Sequence, residues 1–250
     1  QRVIQKLVAH LIERGGTPFS ETLPPYLLDH YKLIAKEKAL KEVHYPTTQH
    51  DLSRAQARLK FEEFFYLQMQ LILKNLQRKK KIKGFTFSEV GRAFHTFFKE
   101  HLPFPLTQAQ KRVVKEIRMD LGSGRQMNRL LQGDVGSGKT IVALLSMLIA
   151  IDNHFQACLV APTEILAQQH YQSLSSLLHG TGVQIALLTG STKAKERKPL
   201  FEALETGTLN ILIGTHAVFE EKVQFKNLGL AIIDEQHRFG VAQRAKLWAK

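Results

Sequence analysis

Residues 133–140 read GDVGSGKT, a glycine-rich loop that ends in a lysine and a hydroxyl side chain. The loop satisfies the pattern G-x-x-x-x-G-K-[ST], and it lies between a short apolar run at 129–133 and an apolar helical pattern at 139–151. Backbone N–H groups in such a loop, together with the helix N-terminus, form a concave site for an anion. The spacing therefore predicts a phosphate-binding loop.

The residue types within this loop match the parts that a bound nucleotide needs. Glycines let the backbone turn tightly and approach the phosphates without a Cβ in the way. A lysine can reach the outer phosphates and act in catalysis, and a threonine hydroxyl can bind Mg²⁺. The residues predicted to bind the nucleotide are Gly133, Gly136, Ser137, Gly138, Lys139 and Thr140.

A pair of acidic residues, Asp234 and Glu235, follows the apolar run at 230–233. Side chains at the carboxyl end of a parallel strand point into the crevice where such sheets bind ligands. Phosphoryl transfer needs a carboxylate that holds Mg²⁺ and a group that orients or deprotonates the attacking water. We expect Asp234 to hold the metal and Glu235 to act on the water.

Short apolar runs alternate with helical patterns through this part of the chain. The predicted strands lie at 129–133, 157–162, 183–190, 210–215 and 230–234, and the predicted helices lie near 139–151, 163–178 and 193–206. Strands that are apolar throughout and separated by helices indicate a parallel sheet covered on both faces. The predicted fold is therefore α/β with a doubly wound parallel sheet.

The chain ahead of this pattern is helical in character. The first 45 residues contain a helical pattern at 3–14 and two turn signals, and we interpret them as connective. Apolar residues at three- and four-residue intervals predict one long helix over 50–83, ended by Gly84. Ser88 is a candidate cap for a short helix that leads to a boundary at Pro103 and Pro105.

Two features of the long helix admit two interpretations each. Its last turn, RKKKIK at 78–83, places cations at the negative end of the helix dipole, and DNA phosphate contact is the alternative. Its aromatic residues Phe61, Phe64, Phe65 and Tyr66 are expected to pack in a helical core. Base stacking is the alternative for them.

The composition indicates a polyanionic partner. The 250 residues include 35 Lys and Arg against 22 Asp and Glu, which gives a formal net charge of +13. Residues 1–100 hold 18 basic and 10 acidic side chains, and residues 101–250 hold 17 and 12, so both parts are basic. Nucleic acid fits this balance, and a solvated basic surface is the alternative.

Cysteine content and apolar run lengths restrict the compartment. The single cysteine, Cys158, excludes an internal disulfide framework and fits a reducing environment. The apolar run at 141–151 has 11 residues, against the roughly 20 that span a bilayer. The sequence begins at Gln1 and shows no signal peptide. We therefore expect an internal piece of a longer cytoplasmic protein.

Several further motifs occur in the order found in helicases: LTQAQ at 106–110, APTEILAQQH at 161–170, LTGS at 188–191 and GTHA at 214–217. DEQH at 234–237, continued by RFGVAQR at 238–244, resembles the signature of the RecG family of superfamily-two translocases, which are bacterial DNA helicases. The related transcription-repair coupling factors usually carry a second Glu at the position of Gln236. The helical stretch at 54–71 is similar as well, so the resemblance covers nearly the whole chain.

The resemblance implies a role for each matching position. Gln110 would read adenine, since an amide can bond both N6 and N7, and Phe104 would pack on the base. The loops after the strands would contact the DNA backbone, and the segment after Glu235 would couple hydrolysis to movement. The residues so assigned are Thr163, Glu164, Thr189, Gly190, Thr215, His216, Gln236, His237, Arg238, Gln243 and Arg244.

The resemblance also implies an architecture and partners. Residues 1–45 would be the trailing segment of a wedge domain, 46–102 a helical linker, and 103–250 the first P-loop RecA-like motor domain, incomplete at its C-terminal end. The implied cofactors are ATP and Mg²⁺. The implied partners are branched or forked duplex DNA and the wedge and second motor domains of the same polypeptide. A monomer associated with the bacterial nucleoid, without a membrane partner, is expected.

Together these features predict a fragment of an ATP-dependent DNA helicase that remodels stalled forks and Holliday junctions in recombination and repair. Arginine fingers from a second motor domain would be missing, so we expect weak nucleotide binding and negligible hydrolysis by this chain alone. Three alternatives are a transcription-repair coupling ATPase, a P-loop ATPase with a task unrelated to DNA, and a DNA-binding module whose P-loop is idle.

Overall fold

A computed structural model describes residues 19–240, with the side chains of residues 78–81 excepted. The chain divides into two compact units, Gln1–Lys81 and Ile82–Lys250. The predicted helix at 3–14, the side chains of most of the RKKKIK run, and the predicted coupling residues Gln243 and Arg244 lie outside the described part. Within that part, no helix combines the length and the apolarity that a membrane crossing requires.

In the described residues, the first unit contains the helices α1 (Pro25–His30), α2 (Lys36–His44) and α3 (Gln49–Lys81). The long helix predicted over 50–83 is thereby confirmed. Helix α2 packs on α3 through a small apolar cluster that includes the fully buried Ala39 and Ala55. Within the first 45 residues, interpreted from the sequence as connective, α2 buries an apolar face against α3 and is stabilised by it.

A partly buried cluster of charges joins the segment before α1 to α3. Arg58 is fully buried and donates to Glu21 at 2.5 Å and to Glu62 at 2.6 Å. The ammonium of Lys36 lies 2.9 Å from Glu62. Burial alone would raise the pKa of Glu21, but hydrogen bonds from the Leu23 and Lys36 N–H groups and from Arg58 lower the pKa to about 2. Glu21 is therefore a charged anchor for its segment.

The aromatic residues of α3 fall into two groups. The rings of Tyr31 and Phe61 lie 4.9 Å apart, and those of Phe61 and Phe65 are stacked at 6.1 Å. The Tyr66 hydroxyl donates to a backbone carbonyl ahead of α1 at 2.6 Å. The packing interpretation thus holds for Phe61 and Phe65, whereas Phe64 and Tyr66 are 62% and 39% exposed and are not core residues.

A parallel sheet forms the centre of the second unit. Its strands β1 (Gln156–Val160), β2 (Ile185–Leu188), β3 (Ile211–Gly214) and β4 (Leu228–Ile233) lie in the order β2-β3-β1-β4. The described helices of this unit are α4 (Arg92–Thr96, continued by a π-helical turn Phe97–His101), α5 (Gln108–Leu121), α6 (Lys139–Asp152), α7 (Glu164–Leu178) and α8 (Ala194–Thr206).

Helices cover the sheet on both faces, as the sequence predicts. Ala157 and Leu159 of β1 belong to a core cluster with α6 and α7. Cys158 and Val160, which point to the opposite face, belong to a second cluster with Leu204 of α8. All five residues of β1 are buried, which explains why its sequence is apolar throughout. The predicted doubly wound α/β fold is confirmed.

The strand predicted at 129–133 is wrong. These residues form no ladder, and Leu130 is 74% exposed. An apolar run becomes a strand only where a neighbour offers backbone partners. In the described part, β4 pairs with β1 alone, and none of the four strands pairs with residues 129–133.

Helix α4 is capped from a distance rather than by Ser88, which corrects a second prediction. The Asp152 carboxylate at the end of α6 accepts from the N–H groups of Gly91 at 2.8 Å, Ala93 at 2.8 Å and Phe94 at 3.1 Å. A carboxylate at a helix N-terminus satisfies donors that have no partner within the helix. The cap fastens α4 to α6, so residues ahead of the predicted boundary at 103 fold with the sheet.

Candidate functional site

The carboxyl ends of the four strands lie in one row. Leu188 pairs with Gly214, Gly214 with Val160, and Val160 with Ile233. The loops that follow these strands therefore meet at one edge of the sheet, where ligands bind in doubly wound folds. The predicted site residues at 163–164, 189–190, 215–216 and 234–238 follow these strand ends.

The loop at 133–140 has the backbone conformation that its glycines require. Gly136 and Gly138 both have φ of +79°, and Gly138 is the N-cap of α6. A Cβ on Gly138 would collide with Nε2 of Gln110, and a Cβ on Gly133 would lie 2.8 Å from Oγ of Ser137. The loop is therefore a tight turn at a helix N-terminus, the arrangement that binds phosphate groups.

Lys139 bridges the loop from within. Its ammonium donates to the carbonyl oxygens of Gly133 at 2.6 Å and Asp134 at 2.8 Å. Thr140 follows in the first turn of α6 and is partly exposed. The lysine side chain therefore lies along the loop, where it can exchange these carbonyls for phosphate oxygens.

Gln110 connects α5 to the phosphate-binding loop. Its Oε1 accepts from the Thr107 N–H at 2.9 Å, and its own N–H donates to Oγ1 of Thr107 at 3.2 Å, which together form a capping box. Its Nε2 donates to the Ser137 carbonyl at 3.0 Å. Phe104 is 46% exposed. The adenine contacts of Gln110 and Phe104 stay predictions, and Gln110 would have to exchange partners to make them.

Asp234 is held from three sides at the end of β4. Its N–H donates to the Val160 carbonyl at 2.8 Å. Oδ2 accepts from Nε2 of His170 at 2.9 Å, and Oδ1 accepts from the Glu235 N–H at 3.0 Å. The hydrogen bond from His170 is the main cause that lowers the pKa of Asp234; burial opposes it, and the charge of Lys139 adds to the lowering. Asp234 is therefore an ionised carboxylate within the field of the loop lysine.

The sequence did not lead us to predict a role for His170, although the residue lies within the motif APTEILAQQH. A single histidine in an amphipathic helix carries no pattern that distinguishes a packed side chain from a ligand partner. Only the fold brings α7 beside the end of β4. The nearest signal is the position of His170 at the end of APTEILAQQH.

Glu235 occupies a left-handed backbone conformation with φ of +48°. Non-glycine residues are uncommon there and often mark functional sites. Its carboxylate is half exposed and lies 3.5 Å from Nδ1 of His237. Gln236, His237 and Arg238 form an exposed 3-10 turn that ends at the buried Phe239. The turn therefore presents polar side chains to solvent next to Asp234.

A metal ion at this edge would need ligands from a bound nucleotide in addition to those of the chain. Among the described residues, no group of three His, Cys, Asp or Glu side chains lies close enough together to hold a metal ion. Mg²⁺ is usually bound through one or two carboxylates and the phosphates of a substrate. The ionised Asp234 and the hydroxyl of Thr140 at the end of the loop fit that mode.

A second group of predicted residues gathers at the ends of β1, β2 and β3. Glu164 accepts from the Ser191 N–H at 3.1 Å and from its hydroxyl at 2.7 Å, and these bonds are the main cause that lowers the pKa of Glu164. The charge of the exposed His216 contributes to the same shift. Thr163 caps α7 by accepting from the Leu166 N–H at 3.3 Å. The hydrogen bonds of Glu164 thus join the loops that follow β1 and β2.

Two predicted DNA-contact residues are buried. Thr189 is 3% exposed, and its N–H donates to Oγ1 of Thr192 at 2.9 Å. Thr215 is 1% exposed, and its hydroxyl has no hydrogen-bond partner among the described residues. His216, which follows Thr215, is exposed, as are Thr163 and Ser191 of the neighbouring loops. DNA contact by the two threonines stays a prediction, and their burial indicates that they shape the loops.

Sequence reasoning also missed Arg197, which holds the loop after β2. Its guanidinium donates to the carbonyls of Thr189 at 3.0 Å, Gly190 at 3.4 Å and Thr192 at 3.0 Å, and to Glu220 at 3.0 Å. An arginine on α8 thereby ties the 189–192 loop to the segment after β3. The charged helix AKERK gives no sign of this at the level of sequence.

The comparisons with known proteins agree with this geometry. The chain is 48% identical over 92% of its length to "ATP-dependent DNA helicase RecG" of Synechocystis, and 46% identical over 100% of its length to the protein of that name in Streptococcus pneumoniae. It spans 28% and 37% of the lengths of these relatives. The protein in "Structure of RecG bound to three-way DNA junction" is 42% identical, with a TM-score of 0.76 over 96% of this chain and 33% of that one.

The family comparison covers the whole phosphate-binding loop and the acidic pair. The sequence profile of the DEAD/DEAH box helicases matches residues 107–250, from the capping box of α5 onward. The matched range also includes the strand-following loops at the carboxyl edge of the sheet. The resemblance to RecG is confirmed along the chain, and the chain belongs to the DEAD/DEAH box helicase family.

Proposed function

We propose that the second unit is the ATP-binding motor domain of an ATP-dependent DNA helicase that acts on branched DNA as part of a longer protein. The observation that carries the proposal is the position of Asp234 directly after β4 at the carboxyl edge of the sheet, where His170 and the Glu235 N–H hold its carboxylate and the charge of Lys139 helps to lower its pKa. A lysine, a glycine loop and a carboxylate at one edge are the parts that phosphoryl transfer uses.

Each part of the site has a task in this reaction. The N–H groups of the loop and the ammonium of Lys139 bind the phosphates of ATP. Thr140 and Asp234 hold Mg²⁺, which when bound neutralises charge on the phosphate oxygens. Glu235 orients the attacking water and accepts its proton, and its half-exposed carboxylate is accessible for that task.

The loops joined by Glu164 and Arg197 form the proposed DNA surface. Loop N–H groups and hydroxyls of this kind contact phosphates and position the nucleic acid without reading its sequence. The net charge of +13 favours such a partner. Gln236, His237 and Arg238 would couple the two sites. Branched duplex DNA as the partner is supported by the relative that was solved bound to a three-way DNA junction. The proposal further includes fork and Holliday-junction remodelling in recombination and repair, a monomeric state and a location at the bacterial nucleoid.

Binding of a fluorescent 2′-mant-ATP to the chain tests the nucleotide half of the proposal. We expect Mg²⁺-dependent binding that Lys139→Ala weakens by at least tenfold, because the ammonium pairs with the phosphates. Lys195→Ala, a change on the exposed surface of α8, serves as the matched control and should bind as the unsubstituted chain does. Equal affinity of both variants would contradict the proposal.

Binding of labelled duplex DNA tests the other half. A P-loop ATPase with a task unrelated to DNA would bind nucleotide but show no salt-sensitive DNA affinity. A module with an idle P-loop would show the reverse. Binding of both ligands is the result expected of the proposed motor domain.

A further inference from the structure

His170 lies on α7, outside the segments to which the nucleotide site has been assigned above. Its ring is largely buried, with a side-chain exposure of 18%, and Nε2 lies 2.9 Å from Oδ2 of Asp234. A carboxylate can only accept, so the Nε2–H of His170 donates. The two groups are 64 positions apart in the chain, and the contact therefore depends on how α7 packs against the sheet.

The two oxygens of Asp234 are oriented from different directions. The Glu235 N–H fixes Oδ1 from the adjacent backbone at 3.0 Å, and His170 fixes Oδ2 from the neighbouring helix. With only the backbone bond, the carboxylate could still rotate about its χ2 axis, which is a soft torsion. The histidine removes that freedom, while each oxygen keeps a second lone pair for another partner.

We propose that His170 is a positioning residue that holds the Asp234 carboxylate in the orientation required to bind Mg²⁺ with the nucleotide. The inference deepens the proposed function and rests on it. Groups that hydrogen-bond a metal ligand commonly change metal affinity or activity by about 10- to 100-fold when they are removed. His170 acts on the metal through Asp234 and touches neither nucleotide nor water in this role.

The chain offers a set of variants that separates the hydrogen bond from the packing. The amide nitrogen of glutamine extends from Cβ about as far as imidazole Nε2 does, so His170→Gln retains a donor near Asp234. The amide of asparagine is one bond shorter, so His170→Asn keeps the polarity and loses the reach. His170→Leu removes the donor and keeps most of the volume. His179→Leu, at the exposed end of the same helix, is the matched control.

The test measures 2′-mant-ADP affinity of the chain in EDTA and over a series of Mg²⁺ concentrations. Affinity in EDTA reports the loop and Lys139, and we expect it to stay within about twofold in every variant. The half-saturating Mg²⁺ concentration should rise about tenfold for His170→Asn and His170→Leu. It should stay within about twofold of the unsubstituted chain for His170→Gln and His179→Leu.

The outcomes distinguish this inference from the function on which it rests. If the unsubstituted chain binds the nucleotide with Mg²⁺ dependence and His170→Asn does the same, the inference is overturned while the proposed function stands. If EDTA affinity falls together with Mg²⁺ affinity, His170 serves only to pack α7, and the inference is again overturned. Absence of Mg²⁺-dependent binding by the unsubstituted chain overturns both. Circular dichroism confirms that each variant is folded, and His170→Gln keeps the test decisive if His170→Leu unfolds.

Discussion

At the scale of single residues, Gly138 is subject to two constraints, a positive φ and a close contact, whereas its neighbour Gly136 is subject only to the first. Both have φ of +79°, but only at Gly138 would a Cβ meet another group, the amide of Gln110. The left-handed conformation costs a non-glycine residue about 1–2 kcal/mol. Displacement of the Gln110 amide would add about 1 kcal/mol for its lost hydrogen bond to Ser137.

We therefore expect Gly138→Ala to lower the free energy of unfolding by about 1 kcal/mol more than Gly136→Ala does. Urea titrations followed by circular dichroism measure the difference. In a Gln110→Ala background the colliding amide is gone, so the two glycine substitutions should cost the same. Equal costs in the unsubstituted background would show that the contact with Gln110 has no steric consequence.

The site residues that could be predicted from the sequence are those that occur in a local motif with a recognisable spacing. The loop glycines, Lys139 and the Asp234–Glu235 pair follow local patterns, and the structure brings them to one edge of the sheet. His170 and Arg197 act through contacts across 64 and 23 positions. No local pattern encodes such contacts, so the roles of His170 and Arg197 can be seen only in the folded structure.

At the scale of elements, the same distinction explains the strand at 129–133. An apolar run specifies burial, whereas a strand also needs a neighbour with free backbone groups. Four predicted runs do pair with one another, as β1 to β4 of the sheet. They are the runs at 157–162, 183–190, 210–215 and 230–234. The α4 cap is similar, because Asp152 is recruited from about 60 positions away, where no capping motif could be recognised from sequence.

The loop after β2 depends on one side chain of α8. We expect Arg197→Met to weaken duplex-DNA binding by about tenfold, since the 189–192 loop loses three carbonyl bonds, and to lower stability by about 2 kcal/mol. Affinity for 2′-mant-ADP should not change. Fluorescence anisotropy with labelled duplex measures the DNA affinity.

Lys198→Met provides the control for charge. It removes one positive charge from the same helix, at a side chain for which the described part of the structure shows no hydrogen bond or ion pair. It should affect DNA affinity less than Arg197→Met. If the two variants weaken DNA binding equally, Arg197 contributes only its charge and does not organise the loop.

The stability of the first unit should depend on pH because of its partly buried charge cluster. Because the folded-state pKa of Glu21 is about 2, below the ordinary value of 4.5, its ionisation contributes stability above about pH 4.5. That contribution is lost as pH falls from about 4.5 toward 2. We expect the unit to lose more stability than its Glu21→Gln variant between pH 7 and pH 3, as measured by urea titration.

The exposed pair Glu37–Lys41 supplies the comparison for this prediction. Its side chains are about half exposed and lie 2.7 Å apart, and such surface pairs contribute little. Glu37→Gln should therefore leave the acid loss of stability unchanged. If Glu21→Gln loses as much stability between pH 7 and pH 3 as the unsubstituted chain does, Glu21 is not the source of the pH dependence.

At the scale of the whole molecule, we expect DNA affinity without junction preference and negligible ATPase activity. The logarithm of the association constant should fall linearly with the logarithm of salt concentration, with a slope of about −0.9 for each phosphate contact. Three-way junction and linear duplex should bind within about twofold of each other, because the wedge domain is proposed to lie elsewhere in the longer protein.

Hydrolysis by the chain alone should remain low, since an arginine supplied by a second motor domain is worth about 10³ to 10⁵ in rate. A chain extended through that domain should recover DNA-stimulated ATPase, measured by phosphate release. Substantial DNA-stimulated hydrolysis by the 250 residues alone would contradict the proposed division of labour.

The position of β4 has a practical consequence for work with this chain. Among the described residues, β4 pairs on one side only, and its sequence LGLAII combines high strand propensity with no charge. An apolar strand with unpaired N–H and C=O groups along one side can recruit another copy. We therefore expect the purified chain to aggregate, with loss of yield and solubility, as its concentration rises. A charged substitution at the exposed Ala231, such as Ala231→Lys, should reduce this aggregation.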